Sequence, residues 1–297
     1  MELARTLLFV PGNRERMLER AGTAGADVVV IDLEDAVPAG EKKAARKLVR
    51  TWLPRLVASG QMVFVRVNGV HTGLTRDDVM AVVRKGLAGV VLPKAEEAQD
   101  LRDLDILLRE AEMAHRVRPG DVRTMPIIES ARGLLRCEDI ARASDRLAAL
   151  SIGGEDYTAE LGVRRDGRGA ALAHLRYVVV QVAVAYGLIP IDTPYTDTRD
   201  EKGLAAEARL AKSIGFKGKY VIHPGQVAAV NRVFTPTRDE VADARRVVEA
   251  AAAGAARGAG SVSLDGRMID APVVARARRL LAAAEAIAAR GRAPAKR

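Results

Sequence analysis

The sequence predicts an α/β protein, a (β/α)8 barrel followed by a C-terminal helical extension. Three observations carry this reading: eight short apolar runs recur between residues 5 and 223, segments of helical period separate them, and no glycine fingerprint follows the first run. Continuous runs of Val, Ile and Leu suit parallel strands covered on both faces. A doubly wound nucleotide fold would keep the alternation but needs G-x-G-x-x-G after its first strand. This chain has "PGNRERM" there.

In chain order the predicted strands are "RTLLFV" (5–10), "DVVVID" (27–32), "MVFVRVN" (62–68), "GVVLPK" (89–94), "MPIIE" (125–129), "LAALSI" (147–152), "LIPID" (188–192) and "YVIH" (220–223). The first stops at Pro11-Gly12 and the last at Pro224-Gly225, both turn formers. The third alternates Val with Phe64, Arg66 and Asn68, which therefore share one side, the barrel interior. Intervening stretches such as "EKKAARKLVRTWLPRLV" and "AEEAQDLRDLDILLREAEMA" repeat apolar residues at helical spacing. Eight such units match the count of a (β/α)8 barrel, assigned to residues 1–236. The extension, 237–297, is expected to hold a helix from about Asp239 to Ala253, a flexible connection in "GAARGAGSVSLDG", and a last helix from about Pro272 to Ala289.

Composition narrows the function classes. The chain has 297 residues, 48% hydrophobic and 29% charged, enough for a large core. No apolar run approaches the roughly 18 residues of a membrane helix, and no export signal is visible, so a cytoplasmic protein without a membrane partner is expected. One cysteine, Cys137, excludes an internal disulfide and reads as a structural thiol on a helix. The net charge of +9 suits anionic ligands. Its basic residues are dispersed and aromatics are only 3%, which argues against nucleic acid.

Barrel chemistry gathers where the strands end. Those positions hold Asp32, Glu34, Asp35, Arg66, Asn68, Lys94, Glu129, Glu155, Asp156, Asp192 and His223. Glu129 and Asp156 close strands five and six, which are neighbours, so their carboxylates can converge. Two carboxylates without Cys, and with His only elsewhere, point to a hard cation, and Mg2+ fits best. Each alone could equally serve a helix N-terminus, Asp156 that of a helix beginning near Thr158. Arg66 either neutralises buried carboxylates or stabilises an anionic oxygen. Lys94 is expected in an ion pair, since surrounding carboxylates favour its ammonium form over a Schiff-base role. His223 either contacts ligand or hydrogen-bonds its own loop.

The motifs "LLFVPGNRERM", "VVIDLEDAV", "VRVNG", "VVLPKAE", "PIIESARG", "GGEDYTAELG", "VIHPGQV" and "GRMIDAPVV", in this order, resemble the citrate lyase beta-subunit-like proteins of the HpcH/HpaI aldolase superfamily, which includes malyl-CoA and citramalyl-CoA lyases. The resemblance runs nearly end to end. It implies a Mg2+-dependent barrel that cleaves or forms a carbon–carbon bond in a β-hydroxyacyl thioester, giving acetyl-CoA and an α-keto acid. It assigns metal binding to Glu129 and Asp156, the thioester oxygen to Arg66, and proton transfer at the enolate carbon to Asp270 from a neighbouring subunit. A homotrimer or hexamer follows. Arg14 is implied in CoA binding, though it also fits a solvated helix position. Asp32 and Glu34 are both candidates for the group that takes the hydroxyl proton. Two alternatives share the framework: a malyl-CoA thioesterase and an acyl-carrier-linked citrate lyase beta subunit.

Overall fold

The computed structural model describes residues 4–165 and 169–292, and the chain divides into two compact units, one reaching to Phe234 and the other starting at Thr235. In the first unit eight parallel strands close a barrel in sequence order: β1 Thr6–Pro11, β2 Val28–Asp32, β3 Met62–Arg66, β4 Gly89–Leu92, β5 Arg123–Ile128, β6 Ala149–Ile152, β7 Ile189–Asp192 and β8 Gly218–Val221. β1 pairs with both β2 and β8, so no edge is left open.

All eight predicted strands are present, with shifts at their ends that have local causes. β3 stops at Arg66 because the Asn68 side chain and N–H both turn to Asp78 Oδ2, at 2.6 and 2.8 Å. β8 runs two residues earlier than its apolar pattern suggests. Gly218 lets the strand lie against Ala4, where a Cβ would stand 1.6 Å from the Ala4 carbonyl oxygen. Ile222 and His223 are released from the strand because both N–H groups donate to Gln226 Oε1, at 3.0 and 3.2 Å.

Side-chain parity sorts the strands into two layers. Leu7, Val30, Phe64, Ile127, Ile191 and Tyr220 belong to the barrel interior, whereas Leu8, Ile31, Val65, Ile128, Leu150 and Val221 pack under the helices. The helices supply matching stripes. The helix Ala98–Ala114, for example, buries Leu101, Leu104, Leu108 and Ala111, and starts from a reciprocal cap between Glu97 and Asp100.

Parity also corrects one expectation. Asp192 does not reach the open end of the barrel, because it shares the outward face with Pro190. There it is fully buried against Arg176 of the helix Ala170–Ala185, at 2.9 and 3.2 Å, and Lys219 of β8, at 2.6 Å. Lys219 Nζ also donates to Glu207 at 2.6 Å. Burial pushes the Asp192 carboxyl up, but Lys219 and Arg176 outweigh it and hold its pKa below the usual range. Cys137 is buried, and burial pushes its thiol up to about 12, which fits a structural role.

The second unit is more ordered than a flexible connection. The helix Arg238–Ala255, capped by Thr237 and Glu240, leads into an antiparallel hairpin of β9 Val262–Leu264 and β10 Arg267–Ile269, followed by the helix Ala271–Arg292. Asp265 and Gly266 turn the hairpin with φ of 51° and 74°, the positive pair that an Asp-Gly turn provides. Gly254 admits the hairpin: a Cβ there would lie 2.1 Å from Val262 Cγ1. Ala244, Val247, Ile269 and Ala277 form the unit's own small core. Among the described residues no helix is long and apolar enough to cross a membrane.

The buried charges behind β7 and β8 give a stability prediction. Asp192→Ala leaves the buried Arg176 and Lys219 with Glu207 as their one remaining shared carboxylate, which should cost about 3–5 kcal/mol. Urea unfolding of the barrel checks this, and a loss within about 0.5 kcal/mol would show that the network relaxes freely.

Candidate active site at the carboxylate corner

Asp32, Arg66 and Glu129 continue the inward parity of β2, β3 and β5 at the carboxyl end of the barrel. Asp32 and Arg66 face each other in the β2–β3 register. Arg66 Nε donates to Asp32 Oδ1 at 2.8 Å and Nη2 to Oδ2 at 2.6 Å, a bidentate pair. Nη1 stands 3.1 Å from Glu34 Oε2, and the guanidinium lies 4.7 Å over the Phe9 ring. Burial works against the Arg66 charge, yet Asp32 first and then Glu34 and Glu129 raise its pKa further above the ordinary arginine value.

Asp32 is fully engaged in hydrogen bonds. Both of its oxygens already accept two hydrogen bonds: Oδ1 from Arg66 Nε and the Glu34 N–H, Oδ2 from Arg66 Nη2 and the Ala36 N–H. Its geometry is that of a group holding Arg66 and the following loop. Glu34 is also buried, accepting from Lys94 Nζ at 2.7 Å and from the Asp35 N–H at 3.0 Å. Burial raises its pKa despite the opposing charges of Arg66 and Lys94.

Lys94 lies beyond the end of β4 in a left-handed conformation, φ 51°, unusual for a residue with a side chain. The conformation has a visible result: its N–H donates to Glu129 Oε1 at 2.7 Å while its ammonium reaches Glu34, the ion pair expected for it. Glu129 Oε2 accepts no hydrogen bond from a described residue. Burial, followed by the Asp156 charge, raises the Glu129 pKa to about 8, although the Lys94 N–H and Arg66 act in the opposite direction.

Asp156 is four residues past β6, in the first turn of the helix Gly154–Glu160, which begins earlier than the expected start near Thr158. It is exposed and makes no hydrogen bond or ion pair with a described residue, yet its charge acts on both Glu129 and Lys94. Pairing of β5 with β6 brings the two carboxylates to one corner. Gly153 makes room for Glu129: a Cβ there would stand 2.1 Å from Glu129 Oε2 and 2.6 Å from Glu129 Cβ. Among the described residues no group of three or more His, Cys, Asp or Glu side chains is poised around a metal. A cation at this corner would therefore take two protein carboxylates and fill its remaining positions with water or substrate oxygens. That donor set suits Mg2+.

The other predicted residues lie apart from this corner or have structural partners. Asn68 is buried, holding the Leu33 carbonyl and Asp78, while Lys42 Nζ binds the carbonyls of Leu33 and Glu34 and the Asn68 side chain, each at 2.8 Å. Lys42 thus fixes the loop after β2, a task hidden among helical lysines in the sequence. Glu155 pairs with Arg165 at 2.8 Å instead of joining Asp156. His223 is exposed and accepts the Gly225 N–H, the loop-bonding alternative for this residue. Arg14 is exposed at the start of the helix Glu15–Ala21. In the second unit, Asp270 caps the last helix, its Oδ1 accepting the Val273 N–H at 3.3 Å.

Residues 5–224 match the family described as HpcH/HpaI aldolase/citrate lyase. The chain belongs to this family. Curated members include the citrate lyase subunit beta of Leuconostoc mesenteroides subsp. cremoris, 38% identical over 92% of this chain and 91% of that protein. The L-malyl-CoA/beta-methylmalyl-CoA lyase of Cereibacter sphaeroides is 34% identical over 90% of each. Among solved structures, the protein CitE from Mycobacterium tuberculosis, in complex with magnesium, acetoacetate and coenzyme A, superposes with a TM-score of 0.78 at 31% identity. The match covers 96% of this chain and all of that one. Membership in a family of lyases agrees with a polar corner at the end of a closed barrel.

The raised Glu129 pKa predicts a pH dependence in the metal-free protein. The folded carboxyl stays protonated above the ordinary value of 4.5, so folding is favoured at low pH and loses this contribution as pH rises through about 8. Chemical unfolding between pH 5 and 9 should show a falling stability that Glu129→Gln removes. An identical pH slope in both proteins would show that Glu129 titrates normally.

Proposed function

We propose that this protein is a Mg2+-dependent carbon–carbon lyase that cleaves, or forms, a β-hydroxyacyl-CoA such as malyl-CoA or citramalyl-CoA. Its products are acetyl-CoA and an α-keto acid. The observation that carries the reading is the arrangement of Glu129 and Asp156 beside a buried arginine whose hydrogen-bond capacity is only partly used. Complexes of the related CitE with magnesium and small oxo acids, and the activity named for the Cereibacter relative, support the same chemistry.

Bound at Glu129 and Asp156, Mg2+ would supply Lewis-acid polarisation of the keto-acid oxygens. The remaining work belongs to this chain. Cleavage between Cα and Cβ leaves negative charge on the thioester oxygen, as an enolate. Arg66 gives Nε and one Nη2 hydrogen to Asp32 and pairs through Nη1 with Glu34, so the remaining Nη hydrogens are left for that oxygen. Of the two candidates for the hydroxyl proton, Glu34 is the better base, because its pKa is raised and Asp32 is saturated with donors.

Asp270 then protonates the enolate carbon, reaching the barrel of a neighbouring copy in a homotrimer or hexamer. Arg14 contributes to holding CoA, and the chain works in the cytoplasm. A barrel domain of 1–236 and a lid of 237–297 describe the division of labour. The citrate lyase subunits among its relatives favour a second reading, in which an acyl-carrier protein replaces CoA within a larger complex.

A panel of β-hydroxyacyl-CoA esters with Mg2+ tests the reading. The expected outcome is acetyl-CoA and a keto acid, abolished by chelation and restored by Mg2+. Free hydroxy acid with CoA would instead mark a thioesterase, and no turnover with co-purifying partner chains would mark the carrier-linked subunit.

Arg66→Ala should lower kcat by about 10² to 10³. Arg66→Lys should remain impaired, since an ammonium cannot hold Asp32 bidentately and still present a donor. Wild-type kcat in both variants would reduce Arg66 to a structural ion. Mixed oligomers of Asp270→Ala and Arg66→Ala chains should regain activity that neither variant has alone. Verified mixed assemblies without recovery would place Asp270 in its own subunit's site.

A further inference from the structure

The buried charges behind β7 and β8 extend toward the turn that presents Asp156. Lys219 joins Asp192 to Glu207, and Glu207 Oε1 also accepts Arg165 Nη2 at 2.6 Å. The other end of the same guanidinium, Nη1, donates to Glu155 Oε1 at 2.8 Å. Arg165 and Glu207 are nearly inaccessible, with side chains 11% and 9% exposed, whereas Glu155 is 55% exposed. A line of alternating charges therefore runs from the barrel wall to the residue immediately before Asp156.

Asp156 needs such support from its neighbours. Its own side chain has no hydrogen-bond partner among the described residues, and it rides on a helix of only seven residues that opens with two adjacent glycines, Gly153 and Gly154. The Gly154 N–H is fixed by Thr193 Oγ1 at 2.8 Å, which anchors the start of the turn. On its outer side the turn faces a cavity of about 470 Å3 bounded in part by Glu155, Thr158, Arg165, Tyr195 and Glu207. Tyr157 and Thr158 of the turn are buried, whereas Glu155 on the cavity side is exposed and held by the Arg165 bridge.

We propose that Arg165 is a positioning residue for Asp156: by tying Glu155 to the buried Glu207 it fixes the turn from which the Asp156 carboxylate reaches the Glu129 corner. The proposal rests on the reading of Asp156 as a metal ligand. Its physical basis is preorganisation. A carboxylate held in place before the cation arrives loses less freedom on binding, and groups that orient metal ligands typically set affinity by about tenfold or more. The planar fork of an arginine spans two carboxylates at once, which a lysine ammonium does with poorer direction.

Isothermal calorimetry of Mg2+ on the full-length chain tests this, with thermal unfolding measured in parallel. Wild-type binding and its loss in Asp156→Ala examine the ligand reading alone; failure there removes the ligand and leaves Arg165 nothing to position. With those two results in hand, Glu155→Ala and Arg165→Lys should each weaken Mg2+ about tenfold, and the double variant should be no weaker than the worse single one, because both break one tether. Glu155→Ala leaves Arg165 on Glu207, so its melting temperature should stay close to wild type. Wild-type affinity in Glu155→Ala would overturn the proposal. So would losses that multiply in the double variant, since these would mean that Glu155 acts only as a nearby negative charge.

Discussion

The Arg66–Asp32 pair is the interaction on which the active corner depends. Three carboxylates, Asp32, Glu34 and Glu129, are buried at one end of the barrel, and buried charge persists only where it is matched. Arg66 supplies the match from the centre, locked to Asp32 by two hydrogen bonds and close enough to lower the cost of ionising the other two. The layer beneath it is aromatic: Phe9 lies under the guanidinium and packs against Tyr220, with ring centroids 4.7 Å apart. The polar layer thus rests on a dry floor, where electrostatic effects are stronger than in water.

Other strands of the barrel, β7 and β8, carry a second set of buried charges on their outer face. Asp192, Arg176, Lys219 and Glu207 stand between barrel and helices and share no residue with the Arg66 cluster. The two systems lie on different strands and opposite faces: Asp32 and Arg66 face inward from β2 and β3, whereas on β7 Ile189 and Ile191 face the apolar interior and Asp192 faces outward. Glu129 is held from the inner side through Lys94, and the turn bearing Asp156 is tied to the outer system through Glu155 and Arg165. The two carboxylates of the corner are anchored to opposite faces of one wall.

This division explains what could be read from the chain. The eight strands were legible because their runs of Val, Ile and Leu are unbroken, and Glu129 stood out because a carboxylate follows such a run directly. Asp192 also follows such a run, and only the strand's parity against Ile191 separates it from the interior set. Lys219 hid the start of β8 because its partners come from β7 and the helix Glu201–Ile214, distant in sequence. The left-handed backbone of Lys94 has no local signature, since glycine would be the usual residue there. Gly153 had one: a glycine pair just after a strand marks close backbone approach, here by the Glu129 side chain. The Asp265-Gly266 hairpin was equally visible, but the surrounding Gly and Ala made the segment look like a flexible connection.

Charge balance connects this architecture to the proposed chemistry. The corner sets Asp32, Glu34, Asp35, Glu129 and Asp156 against Arg66 and Lys94, which is five negative charges less two positive ones when all are ionised. The metal-free protein reduces this surplus of three by favouring protonation, and the Glu129 pKa near 8 records the strain. A divalent cation would offset two of the three charges and return Glu129 to its charged form. The repulsion met by the carboxylate of an α-keto acid would fall accordingly. A monovalent cation would offset only one charge, and on electrostatic grounds the corner therefore favours a dication where the substrate is anionic.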